Sequence, residues 1–429
     1  MRRVRWFPML VAGVMFTATE TRAGSTDEAL GISANPGAIN QSTGTGQLGR
    51  LAGFKKDSGV FLGGVWVGDA NFVISGGADP QAWSFNSLFI LSLGLDAEKL
   101  IGWKGGKFGI EFLQFDGQQT NQQAGSAQGY NSLPGPEPLH RSELYQLWWR
   151  QEFFDGKLVA RVGKMVPTND FGNVLRPVPT QDETLAVPAV SGLAFTPVFV
   201  NPTALGVMPG YYNSTCGVTT TLAPTENCYF NYGFYDGNIA NNNTQTGMLG
   251  PQFNGYYFQI WEAGGAWEIP AGRAGNLPGS FAIGLWNQIG ELRGPGVTEN
   301  GATGVYLFGS QRLWLQHPGR DNAGVSAFFQ FGANDSETLP FQRYFGGGIT
   351  AFGLVPGRSQ DSAGLGVAWS RLNPREFSRE SELMFQGYYQ AHLVAATYLQ
   401  PVVSYIPTPG LGAELGGAWA ATMRLTVLF

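Results

Sequence analysis

The residues that could act on a solute are charged and aromatic side chains set at alternate positions among apolar residues. Glu111 and Arg161, for example, each stand between two apolar neighbours. Neighbouring side chains of a β-strand point to opposite faces, so this spacing predicts a polar face that carries the charged groups. The charged members of the set are Glu111, Arg150, Arg161, Arg312 and Arg424, and the aromatic members are Trp148, Trp286 and Trp314.

These side chains suit weak and reversible contact with hydroxyl-rich solutes. Guanidinium, carboxylate and amide groups form hydrogen bonds with hydroxyls, and an aromatic face covers apolar C–H surface. Such a site is weak enough for a solute to leave as well as enter. A structural alternative stays open for each arginine, since Arg–Glu pairs can also brace neighbouring strands.

The sequence offers little for covalent or metal chemistry. The three histidines, His140, His317 and His392, are dispersed, and none stands beside a convincing nucleophile. The sequence Gly-x-Ser-x-Gly is absent, so no nucleophile elbow is predicted. The histidines also lack the spacing of metal ligands. We therefore expect no enzyme activity, no cofactor and no metal ion.

Two cysteines, Cys216 and Cys228, lie in a stretch rich in Gly, Thr, Pro and Asn. In an exported protein, a disulfide across a short loop is the expected use of such a pair. It would stabilise the fold by about 2–4 kcal/mol. Metal binding is the alternative.

The last segment, residues 419–429, has the pattern of a membrane-spanning β-strand. Trp419 and Phe429 bound an apolar face, while Thr422, Arg424 and Thr426 occupy the other face. We expect the apolar face to contact lipid and the polar face to line a lumen. A terminal aromatic resembles the C-terminal signal of bacterial outer-membrane barrels, which predicts the barrel assembly machinery as a partner. The last strand of a soluble sandwich is the alternative.

The N-terminal segment predicts export. Arg2, Arg3 and Arg5 precede an apolar run, and Thr21 and Ala23 supply small residues before a cleavage point, so residues 1–23 read as a signal peptide. Residues 24–55 read as a flexible or plug-like segment. No later apolar run reaches the roughly twenty residues of a spanning helix. A membrane location therefore requires a closed barrel, which we place at residues 56–429.

The composition agrees with a barrel. The chain has 429 residues, of which 43% are hydrophobic and only 13% charged, whereas a soluble chain carries about a quarter charged residues. It also has 62 Gly, 30 Phe, 15 Tyr and 12 Trp. The formal net charge of −5 gives no reason to expect nucleic acid as a partner. We expect an all-β transmembrane antiparallel barrel of about sixteen strands.

Alternating segments can be placed along most of the chain. In residues 142–153 the better register places Tyr145 outward and Gln146, Trp148 and Arg150 inward. An Asp155-Gly156 turn then brings Arg150 near Arg161. The predicted strands are 59–67, 84–95, 107–115, 142–153, 157–165, 256–267, 281–289, 305–315, 325–333, 364–371, 382–393, 397–405 and the terminal strand. The same alternation predicts inward Gln330, Glu382, Gln386, Gln390 and Gln400.

Residues 167–228 differ from the rest, because eight prolines and scattered apolar residues indicate a long connection. Long loops inside a compact protein are usually functional. Residues 190–208 are too apolar to stay in water. We expect them either to fold into the lumen and narrow the pore, or to pack on a neighbouring molecule.

Three phrases carry a resemblance to a known family. They are Trp-Lys-Gly-Gly-Lys-Phe-Gly-Ile-Glu-Phe-Leu-Gln-Phe at 103–115, Arg-Ser-Glu-Leu-Tyr-Gln-Leu-Trp-Trp-Arg-Gln at 141–151 and Ala-Arg-Val-Gly-Lys at 160–164. Together with the aromatic terminal strand, they resemble the carbohydrate-selective porin family of Gram-negative outer membranes, from about residue 59 to residue 429. The proline-rich insert and the cysteine pair are where departure from the family is expected.

The resemblance implies a sixteen-stranded outer-membrane barrel that passes small carbohydrates by facilitated diffusion, in contact with outer-membrane lipid. It also implies charged and aromatic lumenal side chains at a narrowed waist, which fits Glu111, Arg150, Arg161 and Arg312 in kind. A homo-oligomer stays open. The alternatives are a general or anion-preferring diffusion porin and, further off, an outer-membrane barrel enzyme.

Overall fold

The computed structural model describes residues 44–135, 137–176, 178–180, 190–210, 212–241, 250–272, 275–318 and 320–429. Sixteen strands run through these residues: β1 Val60–Ser75, β2 Trp83–Asp96, β3 Gly106–Asp116, β4 His140–Phe153, β5 Leu158–Met165, β6 Thr215–Thr225, β7 Cys228–Asp236, β8 Tyr257–Pro270, β9 Asn276–Gly294, β10 Val297–Leu315, β11 Gly324–Asn334, β12 Phe341–Phe352, β13 Ser362–Leu372, β14 Ser381–Val394, β15 Thr397–Ile406 and β16 Ala418–Leu428. Each strand pairs with its neighbours in the chain, and β1 pairs with β16, so the sheet is a closed barrel.

The described helices are short: α1 Gln47–Leu51, α2 Ala97–Ile101 and α3 Thr120–Gln123. None of the helices in this part of the chain is long and apolar enough to span a membrane. The predicted fold class, an antiparallel all-β barrel of sixteen strands, is confirmed.

One end of the barrel carries short connections with regular turns. The β2–β3 connection contains α2, whose first turn is capped by the Asp96 carboxylate accepting from the backbone N–H of Glu98 and Lys99 at 3.1 and 3.2 Å. The β4–β5 turn follows the predicted Asp155-Gly156 sequence, and both residues have positive φ, 55° and 83°. Such values are easily reached by glycine and more readily by Asp than by most other residues.

The other end carries the two longest connections, which we call loop A (residues 117–139) and loop B (residues 166–214). Longer loops of outer-membrane barrels lie on the extracellular side. In the described parts of loop B, Val190, Leu193, Phe195 and Val198 are buried against the inner wall. Of the two outcomes expected for residues 190–208, folding into the lumen or packing on a neighbouring molecule, the structure shows the first.

The N-terminal segments fall largely outside the described residues. The predicted signal peptide, 1–23, and residues 24–43 are among those not described. Within residues 44–55, α1 packs on the first residues of strand β1, and the Thr45 backbone N–H donates to the Phe429 carbonyl at 3.2 Å. The predicted division into signal peptide, N-terminal segment and barrel therefore stays a prediction.

Three strands were not predicted from the sequence. In β6 the run Thr219-Thr220-Thr221 gives no contrast between the two faces, and this strand lies within the stretch taken as a long connection. β7 follows it directly. β12 contains the run Gly346-Gly347-Gly348, which has no side chains to show the alternation of apolar and polar residues.

The predicted disulfide is wrong. Cys216 lies near the start of β6, opposite Lys164, whereas Cys228 begins β7 and pairs with Thr225 at the far end of the hairpin. About nine residues of strand separate the two levels, or about 30 Å at ~3.3 Å per residue. A disulfide needs Cα atoms within about 7 Å. Both thiols are free. The two cysteines lie at opposite ends of a β-hairpin and do not close a short loop.

We expect both cysteines to react with an alkylating reagent when the protein is denatured without reductant, because no bond joins them. Mass spectrometry of the digest should then find two alkylated peptides. The same digest after reduction is the control and should look identical. Linked Cys216 and Cys228 peptides in the unreduced sample would contradict this hairpin register.

Candidate functional site

Adjacent strands β3, β4 and β5 bring a row of cations together on the inner wall. Lys107 pairs in register with Arg150, and Arg150 pairs with Arg161. The predicted proximity of Arg150 and Arg161 is confirmed. The row lies next to the predicted Trp148, which precedes Arg150 by two residues and so points to the same face.

The Trp148 indole lies flat against the wall because its register partner on β3 is a glycine. Gly109 of β3 and Gly163 of β5 are its register partners. A Cβ on Gly109 would lie 2.3 Å from Cζ2 of the ring, so only glycine leaves room there. Gly163 has a φ of 137°, which residues with a side chain rarely adopt.

Each cation of the row has a carboxylate nearby. The Arg150 guanidinium forms an ion pair with Glu152, whose carboxylate also lies 3.9 Å from the Lys107 ammonium. The Arg161 guanidinium pairs with Asp170 at the start of loop B. It also lies 5.5 Å from the centroid of the Trp148 ring, within the range of a cation–π contact.

Glu111 lies on the inner wall beside this row and is buried. Its carboxylate accepts from Ser92 Oγ at 3.2 Å and from the Gln146 side-chain amide. Arg176 of loop B is close enough to act on it electrostatically. Burial lowers the pKa of the Arg176 guanidinium, while the carboxylates of Asp170 and Glu111 act in the opposite direction.

A cavity of about 280 Å³ opens next to the row, at the short-turn end of the barrel. Lys107 and Trp148 line it from the wall, and Phe61 of β1 lines it from the side. The segment around α1, including Arg50 and Phe54, forms its outer border. Part of the surface of Trp148 and of Lys107 therefore borders open space.

Arg424 and Arg312 do not join this row. Both Asp69 carboxylate oxygens accept hydrogen bonds from the Arg424 guanidinium, at 2.8 and 2.7 Å, and Asp69 also accepts from Asn131 of loop A at 2.8 Å. Arg424 therefore holds loop A against the wall, which is the structural alternative given above for the arginines. Arg312, on β10, lies over the Phe352 ring at 5.1 Å and donates to the Asn322 carbonyl at 3.5 Å.

Two side chains lie on the opposite face from the one predicted, and each stands next to a β-bulge. Tyr145 was expected outward, but the pairing with β3 shifts beside it, so that Tyr145 and Gln146 are both buried on the inner side. Trp314 was expected inward. The pairing with β11 shifts between Arg312 and Trp314, and Trp314 is 45% exposed on the outer face. A bulge changes the face of every side chain that follows it.

Trp286 faces inward as predicted but is only 1% exposed. Phe199 and Met208 of loop B lie around it, with Tyr306 of β10 beside them. The ring is therefore part of the packing under loop B and is closed to a passing solute.

The inward polar groups of β14 and β15 hold the loops. The Gln386 side-chain carbonyl accepts from the backbone N–H of Ala194 and Phe195 at 2.6 and 3.1 Å, and its amide donates to the Tyr130 carbonyl of loop A at 2.9 Å. The Gln400 amide donates to the Gly192 carbonyl. Glu382 accepts from three residues of loop A, Ser126, Ala127 and Gln128, and from Gly410.

Sequence reasoning missed several members of the cluster. Lys107 could have been found, because the alternation that places Glu111 inward places Lys107 inward as well. Glu152 follows Arg150 by the same argument. Asp170 and Arg176 gave no signal, since their position depends on where loop B enters the lumen.

A closed sixteen-stranded barrel with two loops folded into a polar lumen defines an outer-membrane channel protein. A family model described as "Carbohydrate-selective porin, OprB family" matches residues 88–429. The chain belongs to this family, and it is a carbohydrate-selective porin of the Gram-negative outer membrane, through which sugars diffuse. The predicted resemblance, function and location are confirmed.

Individual relatives are distant in sequence. Porin B of Pseudomonas aeruginosa strain PAO1 is 23% identical over 407 residues, covering 85% of this chain and 86% of that protein. The high-pH structure of Pseudomonas putida OprB has a TM-score of 0.74 at 19% identity and covers 91% of this chain and 99% of that one. The low-pH structure of the same protein has a TM-score of 0.57 at 16% identity, with 91% and 100% coverage. At these identities the structures support the fold alone.

We expect Gly109→Ala to lower the single-channel conductance. The added methyl group would meet the Trp148 ring at 2.3 Å, so the indole must turn away from the wall and into the passage. Gly94→Ala is the matched control, because Gly94 pairs with Gly109 in register and its added Cβ would meet only Phe61, at 3.5 Å. Equal conductance for the two variants in planar bilayers would show that the ring does not border the passage.

We expect Gln386→Leu to loosen loops A and B, because it removes the hydrogen bonds to Ala194, Phe195 and Tyr130 at once. Leaving a buried hydrogen-bonding group without its partner lowers the free energy of unfolding by about 1–3 kcal/mol. Hydrogen exchange of residues 190–198 should become faster, and the open-channel current should become noisier. In the control Gln311→Leu, the lost contacts lie within the wall strands and residues 190–198 should be unaffected. Unchanged exchange in Gln386→Leu would refute this anchoring role.

Proposed function

We propose that small neutral sugars cross this porin along the inner wall of β3–β5, and that the Trp148 face and the Arg150 and Arg161 guanidinium groups provide the main weak contacts. One observation carries the proposal. Trp148 lies flat on glycine, in line with a row of hydrogen-bond donors and beside an open cavity of about 280 Å³. A sugar ring can cover the indole face while its hydroxyls accept from the guanidinium groups.

The local charge balance favours a neutral solute. Glu152 lies near Arg150 and Lys107, and Asp170 pairs with Arg161, so the positive row is largely compensated where it faces the lumen. The charged groups of the row can still donate hydrogen bonds to a solute, but the net electric field that they exert on a passing ion is small. A neutral solute with many hydroxyls therefore gains more from this wall than a monovalent ion does.

A second candidate, an anion-preferring diffusion pore, is favoured by a specific observation. The three cations in register, Lys107, Arg150 and Arg161, exceed the two carboxylates Glu152 and Asp170, and Arg176 lies close to Asp170. The two candidates predict different reversal potentials in a salt gradient. A potential near zero together with block by sugars supports the sugar path, and a strong anion potential without sugar block supports the alternative.

We further propose that the channel performs no covalent chemistry. The histidines lie away from the row of Lys107, Arg150 and Arg161, and His140 is at the opposite end of β4 from Arg150. His140 contacts Asp116 at 3.2 Å, His317 contacts Asp321 at 3.1 Å, and His392 contacts the Ala395 carbonyl, so each already has a local partner. The groups of the row itself are guanidinium, ammonium, carboxylate and indole. They can bind and position a solute. The neighbouring Thr219 hydroxyl contacts the Asp170 carboxylate at 3.3 Å, and that carboxylate is held in the ion pair with Arg161.

We expect Arg150→Ala and Arg161→Ala to raise single-channel conductance and to weaken block of the ionic current by sugars. Removal of the side chain widens the passage, and each lost charge-assisted hydrogen bond is worth at most about 1.5–3 kcal/mol, less in a water-filled channel. Bilayer recordings with a panel of neutral sugars measure both effects.

Arg293→Ala is the matched control for this test. Arg293 pairs with a carboxylate two residues away in its own strand, as Arg150 does, but it is exposed at the end of β9. This variant should behave as the wild type does. If both lumenal variants fold normally and keep wild-type conductance and sugar block, the β3–β5 row is not the path.

A further inference from the structure

Two arginines lie side by side on the outer face of the barrel near its loop end. Arg343 of β12 pairs in register with Arg371 of β13, and both are exposed. Their neighbours fix their direction. Tyr344 and Ser370 are buried on the inner face, so the alternating side chains of Arg343 and Arg371 point outward, toward the membrane.

The pair stands at the level expected for lipid headgroups. Arg343 lies in the first residues of β12 and Arg371 in the last residues of β13, at the end that carries loops A and B. Two residues further into the barrel, Phe345 and Trp369 pair on the same outer face, and Phe345 is 49% exposed. Outward aromatic side chains form girdles at the membrane interfaces of such barrels. The arginines therefore lie about 7 Å beyond this girdle, toward the outside of the cell.

Both guanidinium groups lack a counter-charge among the described residues. The nearby loop arginines, in contrast, have ionic or hydrogen-bond partners within the protein. Arg375 forms an ion pair with Glu337 at 2.7 Å, and Arg379 donates to three backbone carbonyls between residues 412 and 415. Like charges placed directly opposite each other destabilise a sheet. An anion bridging Arg343 and Arg371 would remove this repulsion.

We propose that Arg343 and Arg371 together bind a phosphate group of a lipid in the outer leaflet. The planar guanidinium donates two parallel hydrogen bonds to phosphate, and two such groups side by side can hold one phosphate dianion. The outer leaflet of a Gram-negative outer membrane is built of lipopolysaccharide, whose lipid A part carries phosphates on the sugars to which its acyl chains are attached. The apolar girdle below the pair would lie against the acyl chains of the same lipid.

The test measures lipid binding by the purified full-length mature porin in lipid-free detergent, with native mass spectrometry and thermal melting. The probes are bisphosphorylated lipid A, dephosphorylated lipid A and inorganic phosphate. The variants are Arg343→Gln with Arg371→Gln, and Arg371→Glu alone. The second variant replaces the repulsive pair with an ion pair, so it should melt no lower than the wild type without lipid. Arg293→Gln is the control, because it removes an exposed arginine at the same end.

We expect the wild type and the control to bind bisphosphorylated lipid A at least about ten-fold more tightly than either test variant does, as for the loss of a charge-assisted hydrogen bond. Dephosphorylated lipid A should not distinguish the four proteins. Equal binding of bisphosphorylated lipid A by the wild type and Arg371→Glu would overturn the proposal. Inorganic phosphate that binds the pair as tightly as the lipid would overturn the lipid assignment. Block of the channel by sugars is expected to be the same in all four proteins, so failure here leaves the proposed sugar path untouched.

Discussion

The structure depends on the closure of β1 onto β16. In the hydrocarbon of a membrane an unpaired backbone N–H or C=O is too unfavourable, so a sheet is stable there only if it has no edge. Pairing from Val65 with Leu428 to Ser75 with Trp419 removes the last two edges. Closure also fixes what each alternate side chain meets. Outward positions meet lipid and inward positions meet whatever fills the lumen, so the inner face has to hold polar groups and offer partners to them.

Most of the inner polar groups have structural partners, and this decides which charges are available to a solute. The backbone of loops A and B forms hydrogen bonds with the side chains of Gln386, Gln400 and Glu382. Without these partners, the loops would carry unpaired backbone N–H and C=O groups into the lumen. Arg424 and Asp69 hold loop A on the other side. The wall at β3–β5 differs because Lys107 and Trp148 line an open cavity. Under the proposed sugar path, a lumen rich in charged residues meets the solute mainly along this sector of its wall.

Alternation in the sequence predicted most of this barrel, and its failures have physical causes. It placed Glu111, Arg150, Arg161 and the glutamines of β14 and β15 on the correct face, because one lipid-facing side makes the period of two visible. It failed at Tyr145 and Trp314, since a bulge inserts one residue without any local sign in composition. It failed for β6, where threonine occupies both faces. The sequence indicated that part of loop B could enter the lumen, but the wall residues that loops A and B contact could not be predicted, because these contacts join residues far apart in the chain.

Glycine explains how a lumen lined with large rings can remain open. Trp148 pairs with Gly109, Trp286 pairs with Gly304, and Tyr306 pairs with Gly284. In all three pairs, a Cβ on the glycine would lie within 2.0–2.3 Å of the ring. Each ring therefore lies flat over the neighbouring strand, where it adds apolar contact to the wall and takes little of the lumen. In these three pairs, the glycine and the aromatic residue are two parts of one packing arrangement. Whether such a ring serves the solute or the fold depends on what covers its other face: loop B covers Trp286, while the cavity leaves part of Trp148 open.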